Sequence, residues 1–63
     1  MAKIQVMDVN TGEIILEEVY ANNRWEEMLK RFSYLCFVST KDKRIELYQN
    51  NTRVCAYNFG GNL

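Results

Sequence analysis

The 63-residue chain contains no histidine and no proline, and only two cysteines and three glycines. Histidine is the most frequent general base and a common metal ligand, and two cysteines supply half the ligands of an ordinary structural zinc site. The adjacent acidic pairs, Glu17-Glu18 and Glu26-Glu27, diverge on a strand or helix instead of converging on one substrate atom. We therefore expect no metal, no cofactor and no catalytic centre.

The chain also lacks an excess of either charge and any long apolar run. Eight basic residues balance eight acidic ones, so no overall positive field attracts the chain to nucleic-acid phosphates or anionic membranes. No stretch approaches the eighteen apolar residues of a membrane span, and the N-terminus lacks the apolar segment of a signal peptide. These features favour a reducing cytoplasm and no membrane partner.

A chain of this length forms one small domain over residues 1–63, with residues 60–63 expected to be a loose tail. Such a domain buries only about 60% of its unfolded surface, so its stability is marginal. Self-association is the simplest way for such a domain to gain further stability. We expect a homo-oligomer, most simply a homodimer.

Two apolar segments, residues 3–9 and 14–20, flank a short loop in which Gly12 can take the left-handed conformation. The pattern predicts an antiparallel hairpin with Val9 opposite Glu13. Alternation then places four apolar residues on one face: Ile4, Val6, Ile14 and Leu16.

Residues 23 to about 35 have the pattern of an amphipathic helix. Asn23 and Glu26 resemble a capping box at its start. The apolar residues that follow at helical spacing are Trp25, Met28, Leu29 and Phe32. We expect this stripe to cover one face of a sheet.

Three more strands are predicted at residues 35–40, 44–49 and 53–59, the last two joined by an Asn50-Asn51 turn suited to positive φ. With Gln49 opposite Thr52, alternation divides the final hairpin into two faces. The face expected under the helix holds Ile45, Leu47, Val54 and Ala56. The opposite face holds Arg44, Glu46, Tyr48, Arg53, Cys55, Tyr57 and Phe59.

The predicted fold class is therefore α+β, in the order ββαβββ, with one amphipathic helix packed on one face of an antiparallel sheet. In this arrangement Cys36 and Cys55 lie about two strand spacings, or ~9.5 Å, apart. A disulfide needs Cα atoms within roughly 7 Å, so both cysteines are expected to be free thiols.

The uncovered face of the last hairpin is the candidate functional surface, and three interpretations remain open. The first is a partner-binding site, because tyrosine and arginine are enriched in protein interfaces. The residues assigned to it are Arg44, Tyr48, Arg53, Tyr57 and Phe59. The second is a single-stranded nucleic-acid site in which Lys41 and Lys43 add phosphate contacts. The third is a solvated sheet face without a binding role.

The sequence thus favours a small non-enzymatic protein-binding module that acts by surface complementarity. Inhibitors and adaptors encoded by bacteriophages or mobile elements have this general profile of size and composition. Nucleic-acid binding is the alternative, and it is weakened by the zero net charge and by Glu46 within the patch.

Overall fold

A computed structural model describes residues 1–38 and 42–59 of the chain. The elements, in chain order, are β1 (Ala2–Asp8), β2 (Ile14–Tyr20), a 3₁₀ turn (Asn22–Arg24), α1 (Trp25–Val38), β3 (Lys43–Gln49) and β4 (Thr52–Phe59). The strands form one antiparallel sheet in the order β2-β1-β3-β4, with α1 between β2 and β3 in the chain. The predicted α+β class, with one helix and an antiparallel sheet, is confirmed. The predicted tail at residues 60–63 lies outside the described residues.

The strand predicted at residues 35–40 is wrong over residues 35–38, because α1 continues without a break to Val38, and residues 39 and 40 lie outside the described residues. Four consecutive apolar residues, Leu35 to Val38, fit either a strand or a buried helix. Helical spacing decides between the two, since Leu35 extends the stripe begun by Met28 and Phe32. Both of those residues are buried, and Leu35 packs against them.

The start of the helical segment also differs from the prediction. It begins with the 3₁₀ turn, preceded by Ala21, which has no side chain able to cap it. The Arg24 N–H donates to the Ala21 carbonyl at 2.9 Å. Asn23 therefore lies inside the turn and the expected capping box is not formed, although Glu26 and Glu27 do occupy the first turn of α1.

Both hairpin loops adopt the expected backbone conformations. Gly12 has φ +76°, and its N–H donates to the Asp8 carbonyl at 2.8 Å. Asn50 and Asn51 have φ +51° and +69°, as a two-residue turn between twisted strands requires. The second turn also binds the N-terminus, because the Met1 amine donates to Asn50 Oδ1 at 2.8 Å.

The predicted register of the first hairpin holds from Ala2↔Tyr20 to Val6↔Leu16. Met7 then pairs with Ile14, so Ile15 is the extra residue of a β-bulge. The bulge transfers Ile14 from the expected core face to the opposite face, where it lies across from Met7 and is half exposed.

The second hairpin contains a bulge of the same kind. Gln49↔Thr52 and Tyr48↔Arg53 pair as predicted, but Leu47 pairs with Cys55, which leaves Val54 as the extra residue. Every residue of β4 after Val54 therefore changes face. The predicted core residue Ala56 lies opposite Glu46, on the uncovered face of the sheet.

The core lies between α1 and the two central strands, β1 and β3. It is built from Ala2, Ile4, Val6, Met28, Phe32, Ile45 and Leu47. A helix about 10 Å across covers roughly two strands spaced about 4.8 Å apart. A single helix therefore leaves the edge strands β2 and β4 partly uncovered. The two sides of the helix, one facing β2 and one facing β4, are here called its flanks, and they differ in the side chains that line them.

Candidate binding surfaces

The uncovered face of the sheet, here called the open face, is organised around Glu46. Glu46 as a residue is only 5% exposed. It accepts hydrogen bonds from Tyr48 Oη at 2.6 Å and Arg44 Nε at 2.7 Å, and Arg53 approaches it at 3.4 Å. All three predicted contact residues on this face are thus bonded to one carboxylate of their own chain, and two of them, Arg44 and Arg53, form ion pairs with it.

The hydrogen bonds also shift the ionisation of both partners. The hydroxyl of Tyr48, followed by the guanidinium of Arg44, lowers the pKa of Glu46, and the same bond to Glu46 raises the pKa of Tyr48. Both groups therefore stay in the forms that the bond requires, a carboxylate and a neutral phenol, over the ordinary pH range.

The rest of the open face is paired in the same way. Lys3 lies over the Tyr48 ring at 4.9 Å and forms an ion pair with Glu17 at 3.6 Å. Gln5 donates to the same carboxylate at 2.7 Å. Arg44 makes a further bond to Asn58 Oδ1 at 2.9 Å. The open face is a network of complementary polar side chains.

The predicted contact set is split between the two faces of the sheet. Arg44, Tyr48 and Arg53 do lie together on the open face. Tyr57 and Phe59 were also assigned to this face, but the Val54 bulge places them on the helix side, opposite Ile45 and Lys43. Lys41 lies outside the described residues, and Lys43 is half-buried at the start of β3.

On the helix side, Tyr57 and Phe59 line a hollow between α1 and β4. Its other walls are Phe32, Ser33 and Cys36 of the helix, and its volume is about 390 Å³. The Tyr57 and Phe32 rings lie 5.9 Å apart in a tilted arrangement. None of these five described residues is charged, and the polar groups of their side chains are the hydroxyls of Ser33 and Tyr57 and the thiol of Cys36, so the α1–β4 hollow is a mainly apolar surface.

The opposite flank, between α1 and β2, is closed by a polar contact. Arg31 donates to both oxygens of Glu18, at 2.9 and 3.0 Å, and Tyr20 Oη donates to the same carboxylate at 2.8 Å. The bond from Arg31 is the main reason that the pKa of Glu18 is lowered. Tyr34 covers the guanidinium at 5.5 Å from ring centroid to Cζ. No such ion pair is described at the α1–β4 hollow.

Phe37 adds an exposed aromatic ring beside the hollow. It is 88% exposed, the highest value among the large apolar side chains in the described part of the chain. It follows Cys36 directly and lies one helical turn after Ser33, so it shares a helix face with the rim of the hollow. The sequence analysis missed this surface, because it assigned the four apolar residues that end α1 to a strand.

The two cysteines are free, as predicted, but for a different structural reason. Cys36 lies on α1 and Cys55 on β4, both half-buried on the helix side. Burial, and to a smaller extent Cys55, raises the pKa of the Cys36 thiol. A raised pKa keeps this sulfur protonated and lowers its nucleophilicity at neutral pH.

Within residues 1–38 and 42–59, no group of three or more cysteine or acidic side chains is arranged to hold a metal ion. The only α-helix of this region is too short and too polar to cross a membrane. Comparisons with protein-family models, curated proteins and solved structures found no match to this chain.

Proposed function

We propose that this chain is a non-enzymatic protein-binding module that acts by surface complementarity through the α1–β4 hollow. The observation that carries the proposal is the difference between the two flanks of the helix. One flank is closed by the Arg31–Glu18 ion pair, whereas the other exposes uncharged aromatic walls around a hollow of about 390 Å³. An apolar concave surface at the edge of a small domain is suited to the apolar side chains of a protein partner.

Homodimerisation and a role as an inhibitor or adaptor belong to the same proposal. A protein of 63 residues with this kind of surface acts by occluding or bridging a larger molecule. A cytoplasmic setting stays a prediction of the sequence. Nucleic-acid binding has less support than protein binding, because Arg44 and Arg53 already pair with Glu46.

A display library of random peptides, selected against the immobilised protein, tests the proposal. We expect the selected peptides to share aromatic or aliphatic anchors. Ser33→Arg places a long charged side chain at the rim of the hollow, at an exposed helical position where arginine is a better helix former than serine. This variant should bind the selected peptides at least about tenfold more weakly, the equivalent of one apolar contact of about 1.4 kcal/mol.

Asn23→Arg is the matched control, since it adds the same charge at an exposed position in the 3₁₀ turn. It should bind the peptides as the wild type does. If the selected peptides keep their affinity for the Ser33→Arg variant but bind the Arg53→Glu variant more weakly, the contact lies on the open face and not in the hollow. A selection that enriches no peptide would contradict a protein-binding role.

A further inference from the structure

The α1–β4 hollow and the ring of Phe37 form a complementary pair on one surface of the same molecule. The hollow is concave, apolar and uncharged, and Phe37 is a convex apolar side chain exposed at 88%. Phe37 lies one helical turn after Ser33, a wall of the hollow, so the ring and the hollow are neighbours on the surface of α1. A two-fold axis between two copies can therefore bring each Phe37 to the hollow of the other.

We propose that the occupant of the hollow is Phe37 of a second copy of this chain, inserted reciprocally in a two-fold symmetric dimer. This inference rests on the proposed function, because it assigns the partner of the same hollow. A reciprocal contact closes after two copies, so it produces a discrete dimer and not an open filament.

Charge and area are consistent with a second copy. The chain has zero net charge, so two copies do not repel each other overall, and neither Phe37 nor the hollow residues offer a charge to a foreign partner. Burying one phenylalanine ring from each copy removes about 300–500 Å² from water, and the covered walls remove a similar area. The total of about 600–1,000 Å² reaches the lower bound for a specific interface only at its upper end, as expected for a weak, concentration-dependent dimer.

Pairing through the sheet edges is a less suitable route to a dimer. Both edge strands of the described sheet, β2 and β4, contain a bulge, at Ile15 and Val54. Bulges interrupt the regular row of backbone groups that an added strand needs. The helix flank, by contrast, needs no backbone pairing.

Sedimentation equilibrium over a concentration series, under reducing conditions that prevent disulfides between copies, tests the inference. The wild type should move from 7.5 kDa towards twice that mass as its concentration rises. Phe37→Ser should weaken the dimer at least about 30-fold, because each dimer loses two central aromatic contacts. Val19→Ser is the matched control, since it removes an exposed apolar side chain from the open face, away from α1, and should dimerise normally.

A mixture of two variants tests whether the contact is reciprocal. Phe37→Ser retains a free hollow, and Ser33→Arg retains its Phe37 but blocks its own hollow. Each variant alone should be monomeric, whereas the mixture restores one of the two contacts and should form a heterodimer.

Three outcomes would overturn the inference. The first is a wild type that is monomeric at every concentration, the second is a dimer that survives both variants, and the third is a variant mixture without heterodimer. In each case, peptides selected on the hollow that are sensitive to Ser33→Arg would still support the proposed function. The absence of both the dimer and such peptides would remove both proposals.

Discussion

Glu46 is the residue whose environment is most unusual in this protein, because it is a carboxylate buried on the face that the helix does not cover. Its burial is tolerable because Arg44, Tyr48 and Arg53 satisfy it. These three side chains were predicted to contact a partner. The structure shows that they also bond a partner within the chain, so they contribute to the stability of the sheet.

Replacing Glu46 by glutamine should destabilise the protein in a pH-dependent way. The pKa of Glu46 is lowered from its ordinary value of 4.5, so the charged carboxylate stabilises the fold at neutral pH. This contribution is lost as the pH falls from about 4.5 through the pKa of the folded state. Glu46→Gln should therefore lower the free energy of unfolding by about 2 kcal/mol at pH 7, as expected for hydrogen bonds to a charged group, and by much less at pH 3.

Urea denaturation of the variant and the wild type at both pH values measures this difference. Glu26→Gln is the control, since Glu26 is exposed on the helix and should change stability little at either pH. If Glu46→Gln lowers the free energy of unfolding equally at pH 7 and pH 3, the loss of stability comes from the changed shape of the side chain and not from its charge.

At the scale of the elements, the β4 bulge decides which residues face the helix. Deleting Val54, which is 51% exposed, removes the extra residue but keeps all the cross-strand pairs that the structure shows, from Lys43↔Phe59 to Gln49↔Thr52. We expect this deletion to retain the fold and the position of Tyr57 in the hollow. Deleting Ala56 instead keeps Tyr57 opposite Ile45 only if Val54 moves opposite Leu47 and Cys55 moves to the open face opposite Glu46, so it should lower the melting temperature more than the Val54 deletion does.

Thermal unfolding followed by circular dichroism compares the two deletions, which remove one residue each from the same strand. The fluorescence emission of Trp25, which packs against the core, reports independently on whether the helix still packs on the sheet. Equal losses of stability in the two deletions would contradict the assigned register.

These bulges also mark the limit of what could be predicted from the sequence. The two hairpins, their turns and the apolar stripe of the helix were predictable, because local turn chemistry and periodicity determine them. A bulge has no comparable local signal, and one extra residue reverses every side chain beyond it. Tyr57 and Phe59 were therefore assigned to the wrong face, although their pairing partners lay only one position from the predicted register.

The end of the helix illustrates a second limit. The apolar run from Leu35 to Val38 is as compatible with a strand as with a helix, and tertiary packing of Leu35 on the core selects the helix. With the run assigned to a strand, Phe37 had no place on the helix surface. The α1–β4 hollow and its neighbouring exposed ring could be found only from the folded arrangement.

For the molecule as a whole, one helix over four strands leaves two flanks and one open face, and only the α1–β4 flank lacks polar closure among the described residues. The charge distribution follows the same division. The cations Lys3, Arg44 and Arg53 lie on the open face and are paired with Glu17 or Glu46. These three cations are thus separated from the apolar contact surface, which lies on the helix side of the sheet.

This division predicts that the protein does not bind single-stranded nucleic acid. Stacking of bases requires accessible aromatic faces beside free cations, but Tyr48 is covered by Lys3 and bonded to Glu46, and the neighbouring arginines are paired. Zero net charge also removes long-range attraction to phosphates. Fluorescence anisotropy of a dye-labelled oligothymidine should stay unchanged on addition of the protein at low salt. A rise in anisotropy that disappears with added salt, and that is abolished by Arg44→Glu but retained in Phe37→Ser, would instead assign a nucleic-acid site to the open face and reverse the preference for a protein partner.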